Sequence, residues 1–192
     1  GYIYRNDRVK PYGKLVHGYA DTASHCHYRM IALGFEELSS GERFILNINH
    51  LRSKRGTGAE SNEKRMANVD SLLVMLNTIK EHNIFADEDI LLVGDYNSYT
   101  YEEPLQTIIQ AGYTDVLMQY APKGYSYVYY SEAGYLDRVF ASPTMTNQIT
   151  LIQPYHLNAD YFYSRGFKRG LDETIFRYAD HDPILIHLKL GK

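Results

Sequence analysis

The stretch Ile90-Leu91-Leu92-Val93-Gly94-Asp95-Tyr96-Asn97 decides how the rest of the chain is read. Four consecutive apolar residues suit a strand buried on both faces, and the chain changes character immediately after them. Gly94 lets another backbone or a ligand come close. Asp95 and Asn97 stand at i and i+2, so on an extended chain they aim together out of one strand end. Upstream, residues 60–82 change period. Met66, Val69, Leu72, Leu73, Leu76 and Ile79 make one apolar stripe on a helix of several turns, with Glu63, Lys64, Arg65 and Lys80 largely outside it. Before that helix, 42–50 reads as a strand, with Ser39-Ser40-Gly41 as a turn between it and a strand at 28–38, so the two form an antiparallel hairpin. Strand, long helix, buried strand is the signature of a mixed α/β fold.

Working outward, Tyr2-Ile3-Tyr4-Arg5 reads as a strand already in progress. A shorter helix is expected at 103–111, opened by Pro104 and closed by Gly112. Short strands follow near 125–130, 135–140, 147–153 and 184–190. No repeat, low-complexity tract or linker interrupts the chain, so residues 1–192 are taken as one domain. The 192 residues are 44% hydrophobic and carry 20 Lys+Arg against 23 Asp+Glu, an ordinary globular balance. The formal net charge of −3 argues against polyanion binding over the whole surface but leaves room for a local basic site. One cysteine, Cys26, excludes a disulfide scaffold, and no apolar run approaches the length of a membrane span. The chain has 19 Tyr and no Trp. Scattered through strand-like segments, the tyrosines read as structural.

Four segments put chemically capable side chains at the ends of apolar strands: Asn47-Ile48-Asn49-His50, Gly94-Asp95-Tyr96-Asn97, Leu136-Asp137-Arg138-Val139-Phe140 and Asp180-His181-Asp182-Pro183. Singly, each has a plain structural reading: a hydrogen-bonded histidine, a helix-capping turn, an ion pair along a sheet, an Asx-turn. Together, two histidines, three aspartates and an asparagine suit a hard divalent cation beside a general base. Zinc is disfavoured, because no Cys or His pair has ligand spacing.

In order and wording these segments resemble the endonuclease/exonuclease/phosphatase superfamily, the deoxyribonuclease I-like fold, over nearly the whole chain. Asn49-His50-Leu51-Arg52-Ser53-Lys54, Gly124-Tyr125-Ser126-Tyr127-Val128 and His156-Leu157-Asn158-Ala159-Asp160 look more narrowly like secreted bacterial nucleases. The resemblance implies a two-sheet α-β-β-α sandwich and a metal-dependent phosphodiesterase, most simply a nuclease, using Mg²⁺ (or Mn²⁺ or Ca²⁺). A phosphatase or phospholipid phosphodiesterase on the same fold is the enzymatic rival; a binding module without catalysis is the other. It makes His181 the general base or transition-state partner, with Asp137 holding its imidazole. Asp180 is placed at the metal, Asp95 on the attacking water, Asn97 on the water and phosphate oxygens, and His50 on the phosphate as a second histidine. Arg52 and Lys54 follow His50 in a basic loop, read either as substrate-binding or as solvated surface. Arg29 stands where the family carries a phosphate-contacting Arg. Arg165, Lys168 and Arg169 read as a solvated basic cluster, and Asp182 as a stabiliser of the turn before Pro183.

The family pattern begins with an Asn-bearing strand, a helix and a Glu-bearing strand ahead of the segment matching Tyr2–Arg5. The chain is therefore expected to be the C-terminal part of a longer nucleic-acid- or phosphodiester-acting protein. On its own it is expected to bind metal weakly and hydrolyse little. Location outside the cell or in its envelope is implied by the nuclease resemblance alone.

Overall fold

The computed structural model describes residues 1–18, 29–161 and 175–191. The elements run β1 (Val9–His17), β2 (Met30–Glu37), β3 (Arg43–His50), α1 (Gly58–Glu81), β4 (Ile90–Asp95), α2 (Glu103–Gln110) and β5 (Thr114–Asp115). They continue as α3 (Val116–Tyr120), β6 (Tyr127–Tyr129), β7 (Glu132–Gly134), β8 (Asp137–Ala141), α4 (Pro143–Thr146), β9 (Ile149–Pro154) and β10 (Ile184–Leu188). A six-stranded sheet has the order β1-β2-β3-β4-β8-β5, beside a β9–β10 pair and a β6–β7 hairpin. Within the large sheet β3 and β4 are parallel and the other pairs antiparallel. That one parallel pairing follows from α1, the crossover that a parallel connection requires.

The period of two in the strands divides the interior. Met30, Ala32, Ile45, Ile90, Leu92 and Phe140 face one way and pack with Val69, Leu72, Leu76 and Ile79 of α1 and Leu105 and Ile108 of α2. Phe35, Phe44, Leu91 and Val139 face the other way, onto Ile149, Ile152 and the partly buried Ile184, Ile186 and Leu188 of the β9–β10 sheet. Two sheets thus face one another, with helices outside the larger one, as in a deoxyribonuclease I-like sandwich. Between the sheets an open cleft of about 480 Å³ is lined by Phe44, Leu46, Leu91 and Val93 on one wall and Ile184, Ile186 and Leu188 on the other. Asp137 and Asp182 belong to its lining too.

The sequence expectations hold for the β2–β3 hairpin, α1, β4, α2 and the later strands, with bounds moved by a few residues: α1 starts at Gly58 and β4 runs on through Asp95. Three details differ. Residues 1–5 are not a strand. Tyr2 instead lies with its hydroxyl 3.0 and 2.8 Å from the carbonyls of Ile31 and Leu46, and both Tyr2 and Tyr4 set their rings edge-on to Phe35. The first strand is β1, which carries Pro11 and a register shift between Tyr12 and Val16; an edge position tolerates both. The buried face of α1 also starts differently: Ser61, Arg65 and Asn68 are buried, while Met66 is only partly so. The first half of the helix supports the polar turn after β3, and Asn68 Oδ1 accepts from the Arg52 amide at 3.0 Å.

Arg138 does not pair with its neighbour Asp137. It is 1% exposed, with Nη1 3.2 Å from Asp115 Oδ2 and Nη2 donating to Thr100 Oγ1 at 2.7 Å. Removing one partner of a buried pair leaves the other charge uncompensated. Arg138→Met is therefore expected to cost about 3 kcal/mol or more by chemical denaturation, and Arg138→Met/Asp115→Leu to recover much of that loss.

Candidate active site

Strand register assembles the site. The Cα partners are His50↔Asp95 across β3–β4 and Asp95↔Asp137 across β4–β8, so three strand termini deliver an imidazole and two carboxylates in one row. Gly94 has φ +134°, and a Cβ there would lie 1.9 Å from the Asn49 carbonyl oxygen. No side chain fits between β3 and β4 at that level. Below the row, Asn49 Nδ2 donates to Asn47 Oδ1 at 2.6 Å and to the buried Tyr96 hydroxyl at 2.8 Å.

His181 reaches this row from the segment before β10. Its Nδ1 lies 2.7 Å from Asp137 Oδ2, which also accepts from Ser126 Oγ at 2.6 Å. Its backbone bridges to Tyr127, whose ring centroid is 4.6 Å from the imidazole, and its carbonyl accepts from Asn158 Nδ2 at 2.8 Å. Asp95 is held by Asn97, whose backbone N–H reaches Oδ1 at 2.8 Å and whose Nδ2 reaches Oδ2 at 3.0 Å. Asn97 adopts φ +48° to do so and donates as well to the Leu51 carbonyl at 3.1 Å. His50 Nε2 stands 3.6 Å from Asp95 Oδ2, with most of its ring in solvent.

These surroundings shift two groups. Burial pushes the Asp95 carboxyl up, helped by the Asp137 charge and opposed by the Asn97 amide and by His181 and His50. Burial alone pulls His181 down, but the hydrogen bond it donates to Asp137 and the charges of Asp137, Asp95 and Asp180 outweigh it and raise the imidazole above its ordinary value. The result is a carboxyl with more basic character beside an imidazole that holds its proton more firmly.

Of the residues singled out in the sequence, His50, Asp95, Asn97, Asp137 and His181 converge. Asp95, Asp137 and His181 each offer a ligand atom within 4.8 Å of the others'. Asp180 is exposed and outside that trio, though its charge reaches His181 and Tyr127. Two carboxylates and an imidazole nitrogen at this spacing are donors that a divalent cation could take, with water filling the rest of its shell. Lys54 pairs with Glu102 and Arg52 is part-buried in the same loop. Arg29 is 7% exposed and directs Nη1 to the His50 carbonyl at 3.4 Å, under the end of β3 rather than out toward a ligand. Cys26 and the Arg165, Lys168, Arg169 cluster lie outside the described residues.

Ser126, Tyr127 and Asn158 are site residues that strand-end reasoning did not assign. Their signal was present in the Gly124–Val128 and His156–Asp160 segments, which meet in space: Tyr125 stacks on His156 at 4.3 Å and donates to Asp160 Oδ1 at 2.5 Å.

No family model and no curated protein sequence matches the chain. Solved structures do. An AP endonuclease from Archaeoglobus fulgidus superposes with TM-score 0.65 at 12% identity, covering 94% of this chain and 72% of that one. An endonuclease/exonuclease/phosphatase family protein from Bacteroides thetaiotaomicron gives 0.62 at 17% identity, over 96% and 67%. The mannosyl-6-phosphatase Bt3783 of the same organism gives 0.61 at 16% identity, over 97% and 69%. The chain has the fold of the endonuclease/exonuclease/phosphatase proteins.

The sequence reads Asp182 as a stabiliser of the turn before Pro183; its carboxylate instead ties that turn to the distant 156–159 segment. Oδ1 accepts from the amides of Leu157, Asn158 and Ala159 at 3.0, 2.7 and 3.0 Å, and Oδ2 lies 2.8 Å from His156 Nδ1. Burial pushes this carboxyl up, but those donors outweigh it and hold it below the usual range. A carboxyl depressed in the folded state stabilises above its unfolded pKa, about 3.9, and that contribution fades as pH falls through the lower folded value. Asp182→Ala is expected to lower stability at pH 7 by about 3 kcal/mol, from orphaned buried donors. Its deficit relative to the parent, followed by thermal melts, is expected to shrink on acidification below about pH 4.

Proposed function

We propose that this site hydrolyses phosphate esters with a divalent cation, and that phosphodiesters of nucleic acid are its substrates. The observation that carries the reading is the His181–Asp137 pair at 2.7 Å standing level with an Asp95 carboxyl fixed on both oxygens by Asn97. Phosphoryl transfer asks for an oriented water, a proton acceptor and neutralisation of charge on the phosphate. Asp95, with its raised basicity, receives the proton of the attacking water. Asn97 fixes the direction of that carboxylate. His181, held by Asp137 at Nδ1 with its pKa raised, presents Nε2 to a phosphate oxygen, and His50 stands on the other side of Asp95 to approach the same phosphate. Mg²⁺ held by Asp180 with carboxylate oxygens of Asp95 or Asp137 would neutralise phosphate charge. Lys54 and Arg52 flank the entrance as backbone-phosphate contacts.

The folds it resembles include an AP endonuclease and a mannosyl-6-phosphatase, so substrate class is what the experiment must separate. The expected further Asn and Glu ligands ahead of Gly1 belong to this proposal, and the assay is therefore made on the longest polypeptide carrying this chain. Turnover of oligonucleotides is expected with Mg²⁺ or Mn²⁺ and is abolished by EDTA. His181→Ala and Asp95→Ala are each expected to lower kcat by about 10²–10⁴-fold, the range for loss of a proton-transfer group. Parent-level rates in either variant would reject the assignment. Turnover of sugar phosphates but not oligonucleotides would move it to a phosphatase.

A further inference from the structure

Beside the site runs a row of tyrosines that the mechanism does not use. Tyr127 packs against His181 at 4.6 Å between centroids. Two residues along the same strand, Tyr129 lies nearly parallel to Tyr127, at 6.3 Å and 15°. Tyr130 then stands edge-on to Tyr129 at 4.5 Å. Tyr129 is 55% exposed and Tyr130 86%, so the rings lead outward from the imidazole into solvent. On the flank, Tyr99 packs on Gly134, where an added Cβ would come within 3.0 Å of its ring. The Lys54 ammonium sits 4.6 Å above the Tyr99 ring.

Core packing does not explain Tyr129 and Tyr130, and turn chemistry speaks against Tyr130. It forms with Ser131 the two-residue loop between the paired Tyr129 and Glu132, and both loop residues have positive φ, +47° and +68°. Such a turn ordinarily carries Asn-Gly, and a bulky side chain in the left-handed region is an outlier. Backbone strain of this kind collects at ligand clamps and active sites. Here it carries an exposed aromatic ring at the outer end of a row that begins at His181.

We infer that the β6–β7 hairpin is a stacking platform for the bases of a single-stranded nucleic acid whose phosphate lies at His181; the inference rests on the phosphate-ester reading of the site. Aromatic rings in series with a neighbouring cation are how single strands are held without sequence readout, because every base offers a flat face. A duplex keeps those faces stacked inside and offers only edges and phosphates. A lone sugar phosphate would engage the inner ring and leave the outer two without a role.

The test is metal-free binding, which proceeds whether or not the site hydrolyses anything. Fluorescein-labelled dT12 and a twelve-residue abasic strand with the same phosphates are titrated with the full chain. The chain is expected to bind dT12 about tenfold more tightly than the abasic strand, the effect of one or two stacked bases. Tyr129→Ala and Tyr130→Ala should bring that ratio toward one while leaving affinity for the abasic strand unchanged. Tyr130→Asn/Ser131→Gly should raise Tm, by relieving the turn, and still weaken dT12 binding. Equal affinity for the two strands, no detectable binding of either, or a ratio untouched by these variants would overturn the inference. Base discrimination without Mg²⁺-dependent cleavage by the parent polypeptide would instead overturn the hydrolytic reading and leave the platform standing.

Discussion

Everything at the site depends on three strands ending level. Because β3, β4 and β8 hold the register His50↔Asp95↔Asp137, the side chains share one edge of the sheet with no loop needed to bring them together. A slip of one residue would turn each to the opposite face. Gly94 guards that register, since the Asn49 backbone occupies the space a side chain would need. The buried Asn49–Tyr96 contact adds a second lock, because a slip of β3 against β4 would take Asn49 Nδ2 from the Tyr96 hydroxyl.

The contribution from outside the sheet is of another kind. His181 lies on a segment fixed by three polar residues: Asp182 accepts from the Asn158 amide, Asn158 donates to the His181 carbonyl, and Asp137 holds the ring nitrogen. The carboxylates are set by strand geometry, whereas the imidazole is set by a hydrogen-bonded loop. The two parts meet through one oxygen, Asp137 Oδ2, shared between Ser126 and His181.

Much of this was legible in the sequence, for reasons that can be traced to particular residues. Ile90–Val93 and the α1 stripe carry periodicity that survives any tertiary context, and Asp95 and Asn97 point together because extended backbone makes them. The row of His50, Asp95 and Asp137 was suspected from their strand-end positions, but register is a property of pairs of strands and is not written in either one alone. β1 escaped notice because Pro11 and Gly13 erase the alternation of an edge strand that has little to bury. The strand expected at Tyr2–Arg5 had the right residues, but its tyrosines cap Phe35 instead of extending a ladder. Arg65 was read as solvent-facing because charge usually is; it is buried, with its guanidinium turned back onto Ser61 and Asn62 of its own helix. Asp137 and Arg138, adjacent and opposite in charge, looked like partners, yet a strand sends neighbours to opposite faces, and each pairs elsewhere.

The β9–β10 sheet has a consequence for how the site behaves in time. Among the described residues β10 is paired on one side only, with β9, and it borders the apolar cleft, whereas β4 is bonded on both sides at the centre of the large sheet. Amide protons of β4 should therefore exchange with solvent only through near-global unfolding, while those on the open edge of β10 exchange through small local openings. Asp95 ends the first strand and His181 leads into the second. The carboxylate and the imidazole are thus carried by strands at opposite ends of a gradient of local stability, and the hydrogen bonds of Asp182, Asn158 and Asp137 hold the His181 end against that difference.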